Sequence, residues 1–203
     1  MMDQPVPRWF RSVNGDGHYG VALLLFCAAL LLLAAGGDAA RGLLRYQRDA
    51  IAAGQWWRLL SAHWVHLGVR HALYNVAGLA LLWAMLARLY TPWQWLLIVL
   101  AALLAIDAGL WLLRPDVLWY VGASGVLHGL WAAGALAEWR ARLWHTWPLL
   151  LALILKLTVE HYSGRSVVLS GAPVVLIAHL YGALGGALAA LAVIGTAGRR
   201  PSL

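Results

Sequence analysis

Six long apolar runs dominate the sequence and decide what kind of fold the chain can adopt. A transmembrane helix needs roughly 20 mostly apolar residues, and these runs approach or reach that length. The chain is 63% hydrophobic and 11% charged, whereas soluble domains carry about 25% charged residues. We therefore predict an all-α polytopic membrane protein with six transmembrane helices. The predicted spans cover residues 20–36, 67–89, 93–113, 122–139, 147–160 and 174–196.

Polar segments connect and flank these runs. Residues 1–19 and 197–203 are predicted to be tails on either side of a membrane domain, residues 20–196. The longest connection, residues 38–66, is rich in tryptophan and suits a segment at the depth of the lipid headgroups. Three of its arginines share a predicted helical face: Arg41, Arg45 and Arg48.

The charge distribution points to lipid rather than to nucleic acid. The formal net charge is +7, but the arginines are scattered through the connections instead of forming one basic face. Contact with anionic headgroups explains them better. Six spans would place both termini on one side, and the arginines then divide equally between the two sides, so the positive-inside rule does not set the orientation. Cys27 is the only cysteine, which excludes a disulfide framework and a cysteine metal site.

Polar side chains inside apolar runs are costly in a bilayer and are therefore candidate functional residues. In the second run, His71 and Asn75 are four residues apart and share a helix face. Ser124 opens the fourth run, and His128 follows it on the same face. His179 lies in the sixth run beside glycines that would allow another helix to approach closely.

These residue types have complementary chemistry. A histidine can take the proton of a serine hydroxyl and so make it a nucleophile, a pairing that Ser124 and His179 could supply. His71 and Asn75 could donate hydrogen bonds to the oxyanion of a tetrahedral intermediate. No buried carboxylate that would complete a triad is evident in the sequence, so a Ser–His dyad is the simplest interpretation.

Four motifs, in their order along the chain, resemble the rhomboid family of intramembrane serine proteases. The motifs extend over most of the chain, from about residue 56 to residue 186. They are Trp57-Arg58 in the first loop, His66…His71-x-x-x-Asn75 in the second run, Gly122-Ala-Ser124-Gly125 opening the fourth, and Ala178-His179-x-x-Gly182-x-x-x-Gly186 in the sixth. The resemblance implies a rhomboid-like six-helix bundle that acts on membrane-anchored proteins without a cofactor or metal.

Carried over by position, the resemblance makes Ser124 the nucleophile and His179 the general base. It forms the oxyanion hole from Asn75, His71 and the backbone N–H of Ser124. Four further residues are expected to support this site: His128, Gly122, His66 and Arg58. Arg58 would do so as a structural residue of the first loop.

One short string favours the rhombosortase branch of the family: GASGVLHG, residues 122–129. His128 stands where the best-known rhomboids carry a tyrosine that stacks on the catalytic histidine. Similar proteins act on exported proteins that carry a C-terminal membrane anchor containing Gly-Gly, in Gram-negative bacteria. This resemblance implies a bacterial inner-membrane protein whose site opens to the non-cytoplasmic side. It predicts neither the individual substrate nor the oligomeric state.

Two other functions compete with a protease. A rhomboid-like protein could bind and escort membrane proteins without cutting them, although such relatives typically lack the serine or the histidine. A histidine cluster could instead bind zinc or haem, although the sequence has no HExxH or CxxCH motif. The histidines available for such a cluster are His63, His66, His71, His128 and His179.

The sequence allows more than one interpretation for several polar residues. His128 could stack beside His179 or simply pack. Lys156 and Glu160 have the spacing of an i,i+4 ion pair near the membrane surface, and Glu160 could also line the entry of a substrate. Asp107 would best be explained by a hydrogen bond between helices.

Overall fold

Helices make up most of the chain that the structure describes. The computed structural model describes residues 19–140, 146–164 and 174–196. The predicted tails, apart from Tyr19, lie outside these ranges, as do residues 141–145 and 165–173. Within the described ranges the helices are α1 (Gly20–Ala35), α2 (Gly37–Leu44), α3 (Arg48–Ala52), α4 (Trp57–Ser61), α5 (Val69–Leu86), α6 (Pro92–Leu113), α7 (Ser124–Arg140), α8 (Thr146–Ser163) and α9 (Ile177–Thr196). A helix lies over each of the six predicted runs.

Three helices of the described ranges are long and apolar enough to cross a membrane. They are Val69–Leu89, Pro92–Leu113 and Ile177–Gly195. The helices α1 and α2 would add a fourth span only as a pair bent by 106°. Helix α7 has 17 residues, and α8 carries Lys156 and Glu160 among its apolar residues. The protein is therefore a helical membrane bundle, and the full count of six spans stays a prediction.

The centre of the bundle is the contact of α9 with α6 and α7, where glycines let the backbones meet. A Cβ atom added to Gly182 would lie 1.9 Å from the carbonyl oxygen of Gly125 on α7. One added to Gly186 would lie 2.2 Å from the carbonyl oxygen of Gly129. Small residues spaced four apart allow this approach in membrane helices. The contact fixes the start of α7 against the start of α9.

The first loop folds back onto the segment that precedes α7. Tyr46 and Tyr120 are partners in a two-residue antiparallel pairing, β1 (Tyr46–Gln47) with β2 (Trp119–Tyr120). Both tyrosines are buried. This pairing is a small addition to the predicted all-α fold, and it ties the loop before Ser124 to a segment more than seventy residues earlier in the chain.

Arginines organise the same loop, but not on one helical face. That prediction is wrong because α2 ends at Leu44 and Arg45 is extended. The buried Arg58 guanidinium donates to the carbonyl oxygens of Gly42 and Arg45, at 3.0 and 2.9 Å. Carbonyl groups at a helix end have no partner within the helix, and Arg58 satisfies such groups in the last turn of α2 and at its C-cap, Arg45. Through these two hydrogen bonds, Arg58 stabilises the conformation of the first loop.

Candidate active site

Ser124 and His179 are in hydrogen-bond contact. Ser124 is the first residue of α7 and His179 lies in the first turn of α9. The Ser124 hydroxyl oxygen and His179 Nε2 are 2.9 Å apart. A Cβ at Gly125 would lie 2.9 Å from the carbonyl oxygen of Ala178, so the residues next to the pair also meet backbone to backbone. This close approach of the two helices sets the distance between serine and histidine.

The other ring nitrogen of His179 contacts a carboxylate that the sequence reasoning missed. His179 Nδ1 lies 2.7 Å from Glu160 Oε2, and the side chains are 4% and 2% exposed. Glu160 also accepts a hydrogen bond from Lys156 through its other oxygen. The expected Lys156–Glu160 pair is therefore present, but the expectation that no buried carboxylate meets the dyad is wrong. The sequence signal for it was a charged pair inside an apolar run.

His128 stacks on His179. Their ring centroids are 4.2 Å apart and their planes are 12° from parallel. His128 Nδ1 lies 2.6 Å from the carbonyl oxygen of Ser124, so this nitrogen must carry the proton. The Nε2 atom of His128 is then an acceptor, and it is buried without a partner among the described residues. Of the two interpretations of His128, the structure shows the stacked one.

The loop before Ser124 has a conformation that requires glycine. Gly122 has φ of 119°, a region that side chains rarely adopt. Its N–H donates to the Ala62 carbonyl oxygen at 3.0 Å, and its own carbonyl oxygen accepts from the Tyr120 hydroxyl at 2.7 Å. A Cβ on Gly122 would lie 2.9 Å from Cε1 of His71. The loop therefore presents its backbone to the His71 ring immediately before the serine.

Two buried polar side chains of α5 face the same region. The N–H of Leu67 donates to His71 Nδ1 at 3.4 Å, which leaves the proton of a neutral ring on Nε2. Asn75 Nδ2 donates to the His71 carbonyl oxygen at 3.0 Å and retains a second N–H. Ser124 begins α7, so its N–H is one of the four amides at a helix start that have no partner within the helix. These three N–H groups are candidate hydrogen-bond donors, and their residues line one cavity.

A cavity of about 290 Å³ connects these groups. Its walls come from α5, α7 and α8, with His179 from α9, and are largely apolar. Ser124, His179, His71, Asn75 and His128 all line it. Lys156 also reaches the cavity from α8. An apolar cavity with a few convergent polar groups is the usual form of a binding site for a small group or side chain.

Two further histidines support the loops rather than the serine. The rings of His66 and His71 meet edge to face at 5.0 Å. Burial, together with the nearby His71, lowers the pKa of His66 to about 3, so His66 is neutral at physiological pH. His63 Nε2 lies 3.2 Å from Asp107 Oδ1. This contact joins α6 to the first loop and accounts for Asp107 inside an apolar helix.

The five histidines do not gather into one metal cluster. Among the described residues, the one group of three possible ligands is His128, Glu160 and His179, whose ligand atoms lie within 4.8 Å of one another. Zinc takes histidine nitrogens at about 2.0–2.1 Å with convergent lone pairs. Nearly parallel stacked rings direct their lone pairs side by side instead. Both nitrogens of His179 are also hydrogen-bonded, so the group has the geometry of a hydrogen-bond network.

The fold and the site together define a helical membrane protein with a serine–histidine pair at the start of two packed helices. The Rhomboid domain matches residues 53–196, and the chain belongs to the rhomboid family.

Two relatives from Bacillus subtilis (strain 168) illustrate the similarity. The chain is 30% identical to "Rhomboid protease GluP" over 112 residues, which are 54% of this chain and 22% of that protein. It is 31% identical to a second relative, YdcA, over 80 residues, which are 39% of this chain and 40% of that protein. The matches thus span less than half the length of either relative.

Proposed function

We propose that this protein is an intramembrane serine endopeptidase in which Ser124 is the nucleophile and His179 the general base. The observation that carries the proposal is the 2.9 Å contact between the Ser124 hydroxyl and His179 Nε2, at the edge of a cavity that also contains His71 and Asn75. Family membership supports it, because a relative is named as a rhomboid protease. Escort without cleavage is less well supported, since both members of the dyad are present and in contact.

In the proposed reaction, His179 Nε2 takes the Ser124 proton as Oγ attacks the carbonyl carbon of the scissile peptide bond. The oxyanion accepts hydrogen bonds from His71 Nε2–H, Asn75 Nδ2–H and the Ser124 N–H. Preorganised donors of this kind supply much of the rate enhancement in acyl transfer. The imidazolium then protonates the leaving amine, and the acyl–serine ester remains. A water molecule then attacks the ester carbonyl carbon as His179 takes one of its protons, and His179 returns that proton to Ser124 Oγ as the bond to the new carboxyl terminus breaks.

The substrate is proposed to be a membrane-anchored protein. Helices α5 and α8 both line the cavity, which supports entry of a substrate segment between them, the second and fifth of the six predicted spans. A helix must unwind before its carbonyl groups can be attacked, and glycine lowers helix stability by about 1 kcal/mol relative to alanine. A C-terminal anchor containing Gly-Gly therefore fits the chemistry, in agreement with the resemblance to the rhombosortase branch.

His128 stacks on His179 and stands where the best-known rhomboids carry a tyrosine, which supports assignment to the rhombosortase branch. The proposal places the protein in a bacterial inner membrane. Ser124 starts its helix next to the loop that pairs with the first loop, and this position at a helix end supports a site that water reaches from the non-cytoplasmic side.

Labelling with a fluorophosphonate tests the proposed function directly. Ser124 Oγ should attack phosphorus, form an O–P bond and expel fluoride, while the proton passes to His179. We expect the purified wild type to be labelled and Ser124→Ala to be unlabelled, as read by in-gel fluorescence. Ser61→Ala is the control and should label normally, because the Ser61 hydroxyl donates to the Leu44 carbonyl oxygen and has a structural contact. Equal labelling of Ser124→Ala and wild type would disprove the proposal.

Asn75→Ala should lower kcat by about 10²–10³-fold, the usual effect of removing one oxyanion donor. KM should change little, because the donor acts on charge that develops in the transition state. The measurement is steady-state cleavage of a membrane-anchored peptide with a Gly-Gly segment, together with thermal unfolding in detergent. An unchanged kcat in a stable Asn75→Ala protein would remove Asn75 from the oxyanion hole.

A further inference from the structure

We infer that Glu160 is a positioning residue that extends the Ser–His dyad to a Ser124–His179–Glu160 triad. The inference rests on the proposed function, because it assigns Glu160 a task only if His179 is the general base. It adds a charged member on α8 to a site otherwise built from α5, α7 and α9.

The contact geometry fixes the histidine tautomer. An ionised carboxylate can only accept hydrogen bonds, so Glu160 Oε2 at 2.7 Å requires the proton of neutral His179 on Nδ1. The Nε2 atom is then an acceptor and can take the Ser124 proton across 2.9 Å. Without the carboxylate, either nitrogen could carry the proton, and the tautomer with Nε2–H cannot act as a base.

Burial makes this contact strong. Glu160 is 2% exposed and His179 3% exposed, and charged hydrogen bonds gain strength where water is excluded. When His179 accepts the serine proton, the new imidazolium sits beside a negative charge that is already in place. Glu160 stays a carboxylate throughout, and the Nδ1–H proton does not move, as in serine proteases of other folds.

Lys156 supplies the charge that lets Glu160 remain ionised. Its ammonium donates to Glu160 Oε1, while Oε2 faces His179. An isolated carboxylate in an apolar interior would be neutralised rather than stay charged. The side chain of Lys156 is 20% exposed and reaches the cavity. The i,i+4 pair thus has one member in contact with the base and the other beside the cavity.

Among the residues that the structure describes, four titratable groups face the His179 ring from the surrounding helices, and their charges affect the pH dependence. Glu160 and Lys156 come from α8, His128 stacks on the ring from α7, and His71 lies across the cavity on α5. His128 donates from Nδ1 to the Ser124 carbonyl oxygen, and its Nε2 is buried without a partner among the described residues. A second proton there would leave a buried charge without a partner, so the ring is neutral. Glu160 is therefore the negative group in direct contact with His179, and it favours the imidazolium.

The test compares Glu160→Gln and Glu160→Asp with wild type by the rate of fluorophosphonate labelling between pH 5 and 9. Glutamine removes the charge and can donate to Nδ1, which selects the wrong tautomer. A comparable loss of the triad carboxylate charge in a serine protease costs about 10⁴-fold, and we expect a decrease of about 10²–10⁴-fold for Glu160→Gln. We also expect the half-maximal rate at lower pH, because the imidazolium loses its anion. Aspartate should restore part of the rate and of the pH profile.

Asp107→Asn is the matched control, since Asp107 is another buried carboxylate in contact with a histidine, His63, and does not contact the dyad. The labelling rate of Asp107→Asn should reach half of its maximum at the same pH as that of the wild type. If Glu160→Gln lowers only the thermal stability and keeps the rate and pH profile of wild type, Glu160 is structural and the inference fails. If wild type is not labelled at all, the proposed function fails instead.

Discussion

Gly182→Ala should destabilise the bundle by about 3 kcal/mol or more, the upper part of the range for overpacked cores. The new Cβ would lie 1.9 Å from the carbonyl oxygen and 2.6 Å from the carbonyl carbon of Gly125. These are backbone atoms, so no side chain can rotate away and α7 must shift. Gly125 follows Ser124, and the shift should also abolish fluorophosphonate labelling. Thermal unfolding in detergent and labelling measure the two effects.

Gly195→Ala provides the control on the same helix. Among the described residues, no heavy atom lies within 4 Å of a Cβ at Gly195, so alanine clashes with none of them. Alanine is favoured over glycine by about 1 kcal/mol in a helix interior, and by less at Gly195 because α9 ends at Thr196. Only the Gly182 substitution creates a clash with a described residue. Equal stability of the Gly182→Ala and Gly195→Ala proteins would show that α7 and α9 are not in backbone contact.

His179→Ala should lower the rate of peptide cleavage by about 10⁴-fold or more, because loss of the base from such a unit costs nearly as much as loss of the whole unit. Without Nε2 at 2.9 Å, the Ser124 hydroxyl loses the acceptor that it contacts among the described residues. The measurement is single-turnover cleavage of a membrane-anchored peptide. His161→Ala, an exposed histidine of α8, should cleave at the wild-type rate.

The same cleavage measurement also distinguishes His179 from His128 as the general base. The His128 ring lies 4.2 Å from that of His179, but its Nδ1 is committed to the Ser124 carbonyl oxygen. If His128 were the base, His179→Ala would retain substantial cleavage and His128→Ala would lose it. Such a pattern would contradict the assignment of His179.

The sequence predicts what depends on local spacing. The positions of the helices follow from the apolar runs, and the glycines at 182 and 186 indicate a close helix contact that the structure contains. Ser124 and His179 were expected to meet because both are polar residues in apolar runs that contain glycines, have complementary chemistry and match motifs of the rhomboid family. The prediction needed no knowledge of how the remaining helices are rotated.

The contact of Glu160 with His179 could not be predicted from local spacing, for a physical reason. An i,i+4 pair of lysine and glutamate looks the same whether it lies at a surface or beside a histidine. Its environment depends on the rotation of α8 about its own axis, and that rotation is a tertiary property. The β1–β2 pairing was missed because two residues are too few to produce an alternating pattern.

The direct contact of α7 with α9 also has a dynamic consequence. Helices separated by a layer of side chains can slide as rotamers exchange, whereas these two meet through backbone atoms at Gly125 and Gly129. We therefore expect them to move together, which would preserve the distance between the Ser124 hydroxyl and His179 Nε2. Helix α8 is joined to this pair by the contact of Glu160 with His179 and by a hydrogen bond from Trp131 to the Leu149 carbonyl oxygen. If the cavity admits the membrane-anchored substrate proposed above, we expect the accompanying motion in α5, which also lines the cavity.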